Sequence, residues 1–164
     1  MDDLDFKILS LLQRDASITN QELAERVHAS PPTCLRRVKR LVETGVIEKQ
    51  VAILSPEACG QPLTAIVEIT LDSQASDEIE RFEQKMTTET AVTQCYRVST
   101  GPDLILIVQL SDMQAYHALA HRVFTSAHKV RNVRTFFATH RSKFETRIPL
   151  KPPRAQRGLS DDKR

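Results

Sequence analysis

The chain has 164 residues, 40% of them hydrophobic, and its formal net charge is only +2. This length supports one medium domain or two small ones, and the near-neutral balance excludes a generally polycationic protein. The three cysteines are widely spaced and form no CxxC motif, which predicts a chain without disulfides or structural zinc. The acidic start is unlike a signal peptide, and no apolar run reaches membrane-spanning length. Together these features predict a cytoplasmic protein without a membrane span.

The first fifty residues show the spacing of three short helices. A first helix is predicted to end near Asp15. Thr19 and Glu22 form a capping box that starts a second helix. Only His28, Ala29 and Ser30 separate that helix from a third. The apolar face of the first helix consists of Leu4, Ile8, Leu11 and Leu12.

The third helix has a firm start and two different faces. Ser30 is a suitable N-cap, Pro31 occupies the first helical position, and Gly45 follows the C-terminal end. Helical spacing predicts a buried stripe of Cys34, Val38, Leu41 and Val42. The cations outside this stripe are Arg36, Arg37, Lys39 and Arg40.

Two short amphipathic helices joined by a tight turn, with a third packed across them, predict a helix-turn-helix domain of winged-helix type over residues 1–50. The first turn of its third helix enters a groove of double-stranded DNA, and later turns lie nearer the phosphates. The residues predicted to approach bases or adjacent sugar are Ser30, Pro32, Thr33 and Arg36. Arg37, Lys39 and Arg40 are predicted to serve phosphates or local packing, and Asn20 completes the DNA-binding set. The alternatives are another small helical bundle, or a surface helix with a solvated basic face.

A hinge is predicted between two domains. Residues 46–54 have an extended pattern, and two prolines with a glycine follow between Pro56 and Pro62. We therefore predict a linking segment over residues 51–62.

The second domain, residues 63–147, changes to the alternation of strands. The order of its elements is βαββαβ, which predicts an α+β chain with a ferredoxin-like C-terminal domain. The apolar run 104–108 is predicted to be a central strand covered on both sides. Residues 148–164, rich in proline and charge, are predicted to be a disordered tail. The predicted strands are 63–71, 91–99, 104–108 and 130–139, and the predicted helices are 77–88 and one capped by Asp112.

No pattern in the sequence indicates catalysis, a metal or a cofactor. His117 and His121 have the i, i+4 spacing of metal ligands, but no third ligand is evident. There is no phosphate-binding glycine loop and no nucleophile elbow. Asp103 follows a Gly-Pro turn, where its carboxylate could receive an ammonium group or could bond its own backbone.

With these parts in order, the sequence resembles the leucine-responsive/asparagine regulator (Lrp/AsnC) family of transcription factors. The resemblance covers residues 2–145 and implies a C-terminal domain that binds amino acids and assembles dimers, often into octamers. It also implies that residues 46–54 contribute to the dimer. The segments that carry it are Leu4 to Leu9, Leu12 to Ala16, Glu22 to Ala24, Ser30 to Leu41, Gly45 to Ile47 and Pro56 to Gly60.

One hairpin departs from the family pattern. The family has Gly-Asp-Tyr/Phe-Asp where this chain has Thr100-Gly101-Pro102-Asp103, and Pro102 offers no N–H. We therefore expect weak amino-acid binding or a changed ligand, in a pocket shared between subunits. The residues predicted for this effector site are Ser99, Thr100, Gly101, Asp103, Met113 and Phe137. Two rivals remain open: a tetrapyrrole enzyme of sirohaem-decarboxylase type, and an architectural DNA protein without an effector.

Overall fold

The computed structural model describes residues 1–73, 75–125 and 128–151. The chain divides into two compact units. One contains Met1–Ala52 together with the described chain from Lys143 onward, and the other contains Ile53–Ser142. The division at Ala52 falls inside the predicted linking segment.

The N-terminal unit contains three helices, α1 (Asp3–Leu12), α2 (Asn20–Val27) and α3 (Pro31–Glu43). Thr19 and Glu22 form the predicted capping box of α2, and Ser30 caps α3 with Pro31 in its first turn. Sequence reasoning missed a similar box formed by Asp2 and Asp5 at the start of α1. The buried residues that hold the three helices together are Ile8, Leu23, Ala24, Val27, Cys34 and Leu41.

One member of the predicted α3 stripe is wrong. Cys34 and Leu41 are buried, but Val42 is 49% exposed. On a helix with 100° per residue, Val42 lies about 80° from Cys34 and about 100° from Leu41, at the edge of the stripe. No helix or strand in the described part of this unit covers Val42 enough to bury it.

The second unit contains β1 (Leu63–Leu71), α4 (Ser76–Thr88), β2 (Val92–Arg97), β3 (Leu104–Leu110), α5 (Met113–Val123) and β4 (Val130–Phe137). The strands form one antiparallel sheet in the order β2-β3-β1-β4. This confirms the predicted βαββαβ arrangement. Helices α4 and α5 bury one face of the sheet, where Phe82, Met86, Leu119 and Val123 join the core.

The other face of the sheet is open, so the prediction that β3 is covered on both sides is wrong. Residues of β3 alternate strictly between buried and half-buried. Ile66 pairs with Ile107 and Phe136 on neighbouring strands, and Tyr96 pairs with Ile105. Ile66, Tyr96 and Phe136 are 39%, 53% and 46% exposed. The helices supply cover for one face only, which leaves an apolar open face on the other.

The segment between the two units forms no strand in this chain. Its aliphatic side chains Val46, Val51, Ile53 and Leu54 are exposed, while Ile47 packs against the core of the N-terminal unit. Among residues 1–73, 75–125 and 128–151, no strand pairs with this segment.

The described end of the chain is held against α1. The Gln13 side chain donates to the Ile148 carbonyl at 3.1 Å and accepts from the Ile148 backbone N–H at 3.2 Å. The first residue of the predicted tail is therefore anchored to the N-terminal unit. Residues 152–164 of that tail lie outside the described residues.

Candidate functional site

The first turn of α3 is built to present short polar groups. Ser30 Oγ accepts from the Thr33 backbone N–H at 3.4 Å and lies 2.8 Å from Thr33 Oγ1. Two prolines follow Ser30, so this turn has few backbone N–H groups to satisfy. Ser30, Pro32 and Arg36 are exposed, and Thr33 is half-buried. These residues form one accessible surface at the start of the helix.

Asn20 joins the starts of α2 and α3. Its side-chain amide donates to the Pro31 carbonyl at 2.9 Å. This bond fixes the angle at which α3 begins, so the structure gives Asn20 a positioning role beside the predicted DNA contact.

Two of the four predicted DNA-facing cations bind aspartates of α1 and its cap. Arg37 Nη1 lies 2.6 Å from Asp2 Oδ2 and 2.9 Å from Asp5 Oδ1. Arg40 Nη2 lies 2.7 Å from Asp5 Oδ1 and 2.6 Å from Asp5 Oδ2. Asp5 is fully buried. A buried carboxylate needs charged and hydrogen-bonding partners, and the two arginines supply them.

These contacts shift the pKa values of the groups that they join. The Arg37 hydrogen bond, helped by the Asp5 backbone N–H, lowers the pKa of Asp2 below its ordinary value. Burial opposes the shift at Asp5, but bonds from the Asp2 backbone N–H and Arg37 outweigh it, so the pKa of Asp5 is also lowered. Bonds to Asp2 and Asp5 raise the pKa of Arg37.

This network leaves the four cations of α3 in different surroundings. Of the two roles predicted for Arg37 and Arg40, phosphate contact or local packing, the structure gives packing to Arg37, whose side chain is only 20% exposed. Arg40 is 52% exposed and shares Asp5. Lys39 lies 3.8 Å from Glu43 on the solvent side. Arg36 forms no ion pair with any residue in the described ranges.

Sequence reasoning missed the anionic half of this network. From the sequence, the acidic start argues only against a signal peptide, and it gives no role to Asp2 or Asp5. The signal that could have found it is Asp-x-x-Asp before an apolar helix, a carboxylate version of the capping box.

The Asp103 side chain is buried and bonds to the backbone of β1. It is 7% exposed, and its Oδ2 accepts from the Leu71 backbone N–H at 2.7 Å. Its own N–H donates to the Ile69 carbonyl at 2.9 Å, and its carbonyl accepts from Val98 at 3.1 Å. The carboxylate therefore ties the β2–β3 hairpin to β1, because β3 pairs with β1 only from Leu104 onward. Of the two roles predicted for Asp103, the structure shows bonds to the backbone, and ammonium binding stays a prediction.

The six predicted effector residues lie at two ends of the sheet within one chain. The hairpin Ser99–Asp103 precedes Leu104, which pairs with Ile69. Phe137 pairs with Ala65, and Met113 begins the helix that follows the opposite end of β3. Ala65 and Ile69 are four positions apart along β1, which corresponds to ~13 Å. A site made from all six would need residues from more than one subunit.

The Phe137 end carries a second aromatic residue that was not predicted. The Tyr116 ring meets Phe137 edge-on at 5.0 Å between centroids, and Tyr116 Oη lies 2.6 Å from Thr135 Oγ1. Met113 and Phe137 are 42% and 36% exposed. Tyr116 and Phe137 therefore form a partly open aromatic pair at this end of the sheet.

The described residues contain no group of three or more His, Cys, Asp or Glu placed to hold a metal ion. Over the same part of the chain, no helix is long and apolar enough to cross a membrane.

Comparisons with known proteins agree with this architecture. A family model described as winged helix-turn-helix DNA-binding matches residues 1–48, and one described as the Lrp/AsnC ligand binding domain matches residues 64–148. An uncharacterised HTH-type transcriptional regulator of Haemophilus influenzae is 40% identical, over 92% of this chain and 89% of that protein. The leucine-responsive regulatory protein of Escherichia coli K12 is 34% identical, over 92% of both chains.

Solved structures give the same answer. An AsnC family transcriptional regulator from Agrobacterium tumefaciens superposes with a TM-score of 0.85 at 34% identity, covering 91% of this chain and 97% of that one. A transcriptional regulator from Neisseria meningitidis in complex with L-Met superposes with a TM-score of 0.84 at 32% identity, covering 91% and 96%. The chain therefore belongs to the Lrp/AsnC family of DNA-binding transcriptional regulators, with an N-terminal helix-turn-helix domain and a C-terminal ligand-binding domain.

Proposed function

We propose that the first turn of α3 reads DNA in the major groove. Ser30, Pro32, Thr33 and Arg36 face base edges or adjacent sugar, and Lys39 faces the phosphates. The observation that carries this proposal is the exposure of Ser30, Pro32 and Arg36, together with the absence of an ion pair to Arg36 among the described residues. A guanidinium without a carboxylate partner can donate to a guanine or a phosphate without first breaking a bond.

Arg40 has a shared role in this proposal. One of its terminal nitrogens binds Asp5, and its half-exposed side chain approaches a phosphate. Arg37 orients the helix and makes no DNA contact. Asn20 fixes the start of α3 and lies near the sugar-phosphate backbone.

The protein works as a homodimer, and dimers assemble further, with an octamer as the expected form. Two-fold dimers are the usual way for a small helix-turn-helix domain to read enough DNA. The apolar open face of the sheet and the exposed aliphatic residues of segment 46–54 support this proposal, because each would be buried against a second copy. In this proposal, a second copy of this chain covers both surfaces.

An amino acid is the proposed effector, bound between subunits. The exposed hairpin residues Ser99, Thr100 and Gly101 supply backbone groups from one chain, and Met113 with Phe137 supply an apolar wall from another. Asp103 holds the hairpin in shape. The L-Met complex of the Neisseria meningitidis regulator supports the ligand class.

The protein is a regulator and not an enzyme. Its relatives are named as transcriptional regulators, which favours this reading over the tetrapyrrole enzyme. Colourless protein on purification would agree with it, and a bound haem would oppose it. A protein that binds chromosomal DNA works in the cytoplasm, which is therefore part of the proposal.

Footprinting tests the proposal directly. The region upstream of the protein's own gene is digested with DNase I in the presence of the full chain, with and without each common amino acid. We expect protected half-sites about one helical turn apart and a pattern that changes with at least one amino acid. Uniform cleavage at protein concentrations that retard DNA nonspecifically would contradict it.

A further inference from the structure

We propose that the Ile53–Ser142 unit holds a second small-molecule site, for an α-amino acid, within a single chain. The site is a cavity of about 190 Å³ between α4 and the segment that leads into β4. It is lined by Glu78, Arg81, Phe82, Lys85, His128 and Lys129. The inference rests on the ligand-binding role of this unit, and it is independent of the site between subunits.

The lining of the cavity includes two lysines, Lys85 and Lys129, without carboxylate partners among the described residues. Lys85 Nζ contacts His128 Nε2 and lies 3.5 Å from the Arg122 carbonyl. No carboxylate among residues 1–73, 75–125 and 128–151 forms an ion pair with Lys85 or Lys129. Arg81, by contrast, is paired with Asp77 at 3.2 Å. Two uncompensated ammonium groups beside an imidazole favour a bound carboxylate.

The position of these cations is fixed by the backbone. Lys129 has a φ of 60°, in the left-handed region, and its carbonyl accepts from the Asp72 N–H at 2.7 Å. Lys85 lies on α4, one turn after the buried Phe82. Lys129 and Lys85 therefore come from two different segments and meet at one cavity.

Another residue of the lining, Glu78, carries an unsatisfied acceptor. Glu78 Oε2 is buried and accepts no hydrogen bond from any described residue. Leaving a buried carboxylate oxygen without a donor costs stability, so this atom favours a ligand with an N–H donor. Glu78, Phe82 and Lys85 have i, i+4 and i+7 spacing, which puts acceptor, aromatic floor and cation on one face of α4.

A zwitterion can pair with the two lysines and with Glu78 at the same time. A simple anion such as phosphate would pair with Lys85 and Lys129 but would leave Glu78 facing like charge. A simple amine would satisfy Glu78 but would meet two cations. An α-amino acid gives its carboxylate to the lysines and its ammonium to Glu78. This matches the class of ligand proposed for the family domain but assigns it residues that the hairpin site does not use.

Calorimetry with three matched ligands tests the site on the full chain. The common L-amino acids are titrated first. The tightest binder is then compared with its des-amino carboxylate and its decarboxylated amine, against Lys85→Gln, Glu78→Gln and two controls. The controls are Glu80→Gln, an exposed carboxylate on the same helix, and Lys7→Gln, an exposed lysine of the N-terminal unit.

The proposal predicts a different pattern for each variant. Lys85→Gln should weaken the amino acid and its des-amino carboxylate by roughly 10- to 100-fold. Glu78→Gln should weaken the amino acid and the amine by a similar factor, and should leave the carboxylate unchanged. Glu80→Gln and Lys7→Gln should change nothing. If Lys85→Gln lowers the thermal midpoint of unfolding, Lys129→Gln on an exposed side chain replaces it.

Several results would overturn the site. They are no amino-acid binding by the wild-type chain, binding that is unchanged in both Lys85→Gln and Glu78→Gln, an equal loss of binding in Lys7→Gln, or full competition by inorganic phosphate. Retardation of DNA by the same wild-type preparation is measured separately. DNA binding without amino-acid binding would reject this site while leaving the DNA-reading proposal intact.

Discussion

Asp5 connects the position of α3 to the start of α1. Its two oxygens accept from Arg37, Arg40 and the Asp2 backbone N–H, at 2.6 to 2.9 Å. The same carboxylate therefore caps one helix and anchors another. A helix that must meet a groove in one orientation gains from an anchor of this kind.

Replacing this carboxylate should destabilise the N-terminal unit. Asp5→Asn keeps the shape but removes the charge shared by Arg37 and Arg40, and we expect a loss of roughly 1.5–3 kcal/mol in the free energy of unfolding. Urea denaturation measures it. Asp3→Asn is the control, because Asp3 is exposed and, among the described residues, pairs only with Lys7, so its cost should stay below about 0.5 kcal/mol. Equal losses in the two variants would argue against the network.

The network should also make stability depend on acid pH. The pKa values of Asp2 and Asp5 are lowered in the folded chain. Their contribution is therefore complete above the ordinary aspartate value of 3.8 and is lost as pH falls through the lower folded values. The stability difference between wild type and Asp5→Asn should shrink as pH is lowered from 7 to 3. Urea midpoints at several pH values check this, and a difference that stays constant would contradict it.

Among the elements, the helices and strands were predictable because each carries a local signal. Thr19, Ser30 and Asp112 cap the helices that they were expected to cap. The prediction that β3 is covered on both sides is wrong because five aliphatic residues in a row do not reveal which face a helix covers. Pairing to β1 and β2 and the number of covering helices decide this, and both are properties of the whole sheet.

The site was predictable only in part, for a similar reason. The exposed first turn of α3 follows from capping and proline placement. The fate of Arg37 depends on Asp2 and Asp5, more than thirty residues away, and the burial of Asp103 depends on Leu71. Contacts over such separations leave no trace in helical or strand periodicity.

The apolar open face of the sheet gives a prediction at the scale of elements. Ile66 lies at its centre, between Ile107 and Phe136. Ile66→Lys places a charge where we propose that two sheets meet, so the dimer should dissociate at micromolar concentration. Gln84→Lys, on an exposed position of α4, should leave the dimer intact. Light scattering after size exclusion compares them, and a dimeric Ile66→Lys variant would oppose this interface.

At the scale of the whole molecule, two units divide the work of the family. One carries the exposed turn of α3, and the other carries the open sheet face and the ligand sites that we propose. The chain passes between them twice, through the segment around Ala52 and again near Lys143. Assembly through the second unit would bring two α3 helices together on one piece of DNA.

The central claim is that α3 reads DNA with its first turn while Arg37 and Arg40 serve mainly to hold it. The most direct measurement is the affinity of Arg36→Ala and Arg37→Ala for the footprinted site and for scrambled DNA, over a range of salt. Arg36→Ala should lose about 1–3 kcal/mol on the specific site and relax preference at one position. Arg37→Ala should lower the free energy of unfolding but keep the specificity ratio and the salt slope. Unchanged binding by Arg36→Ala, with specificity lost only in a well-folded Arg37→Ala, would contradict the account.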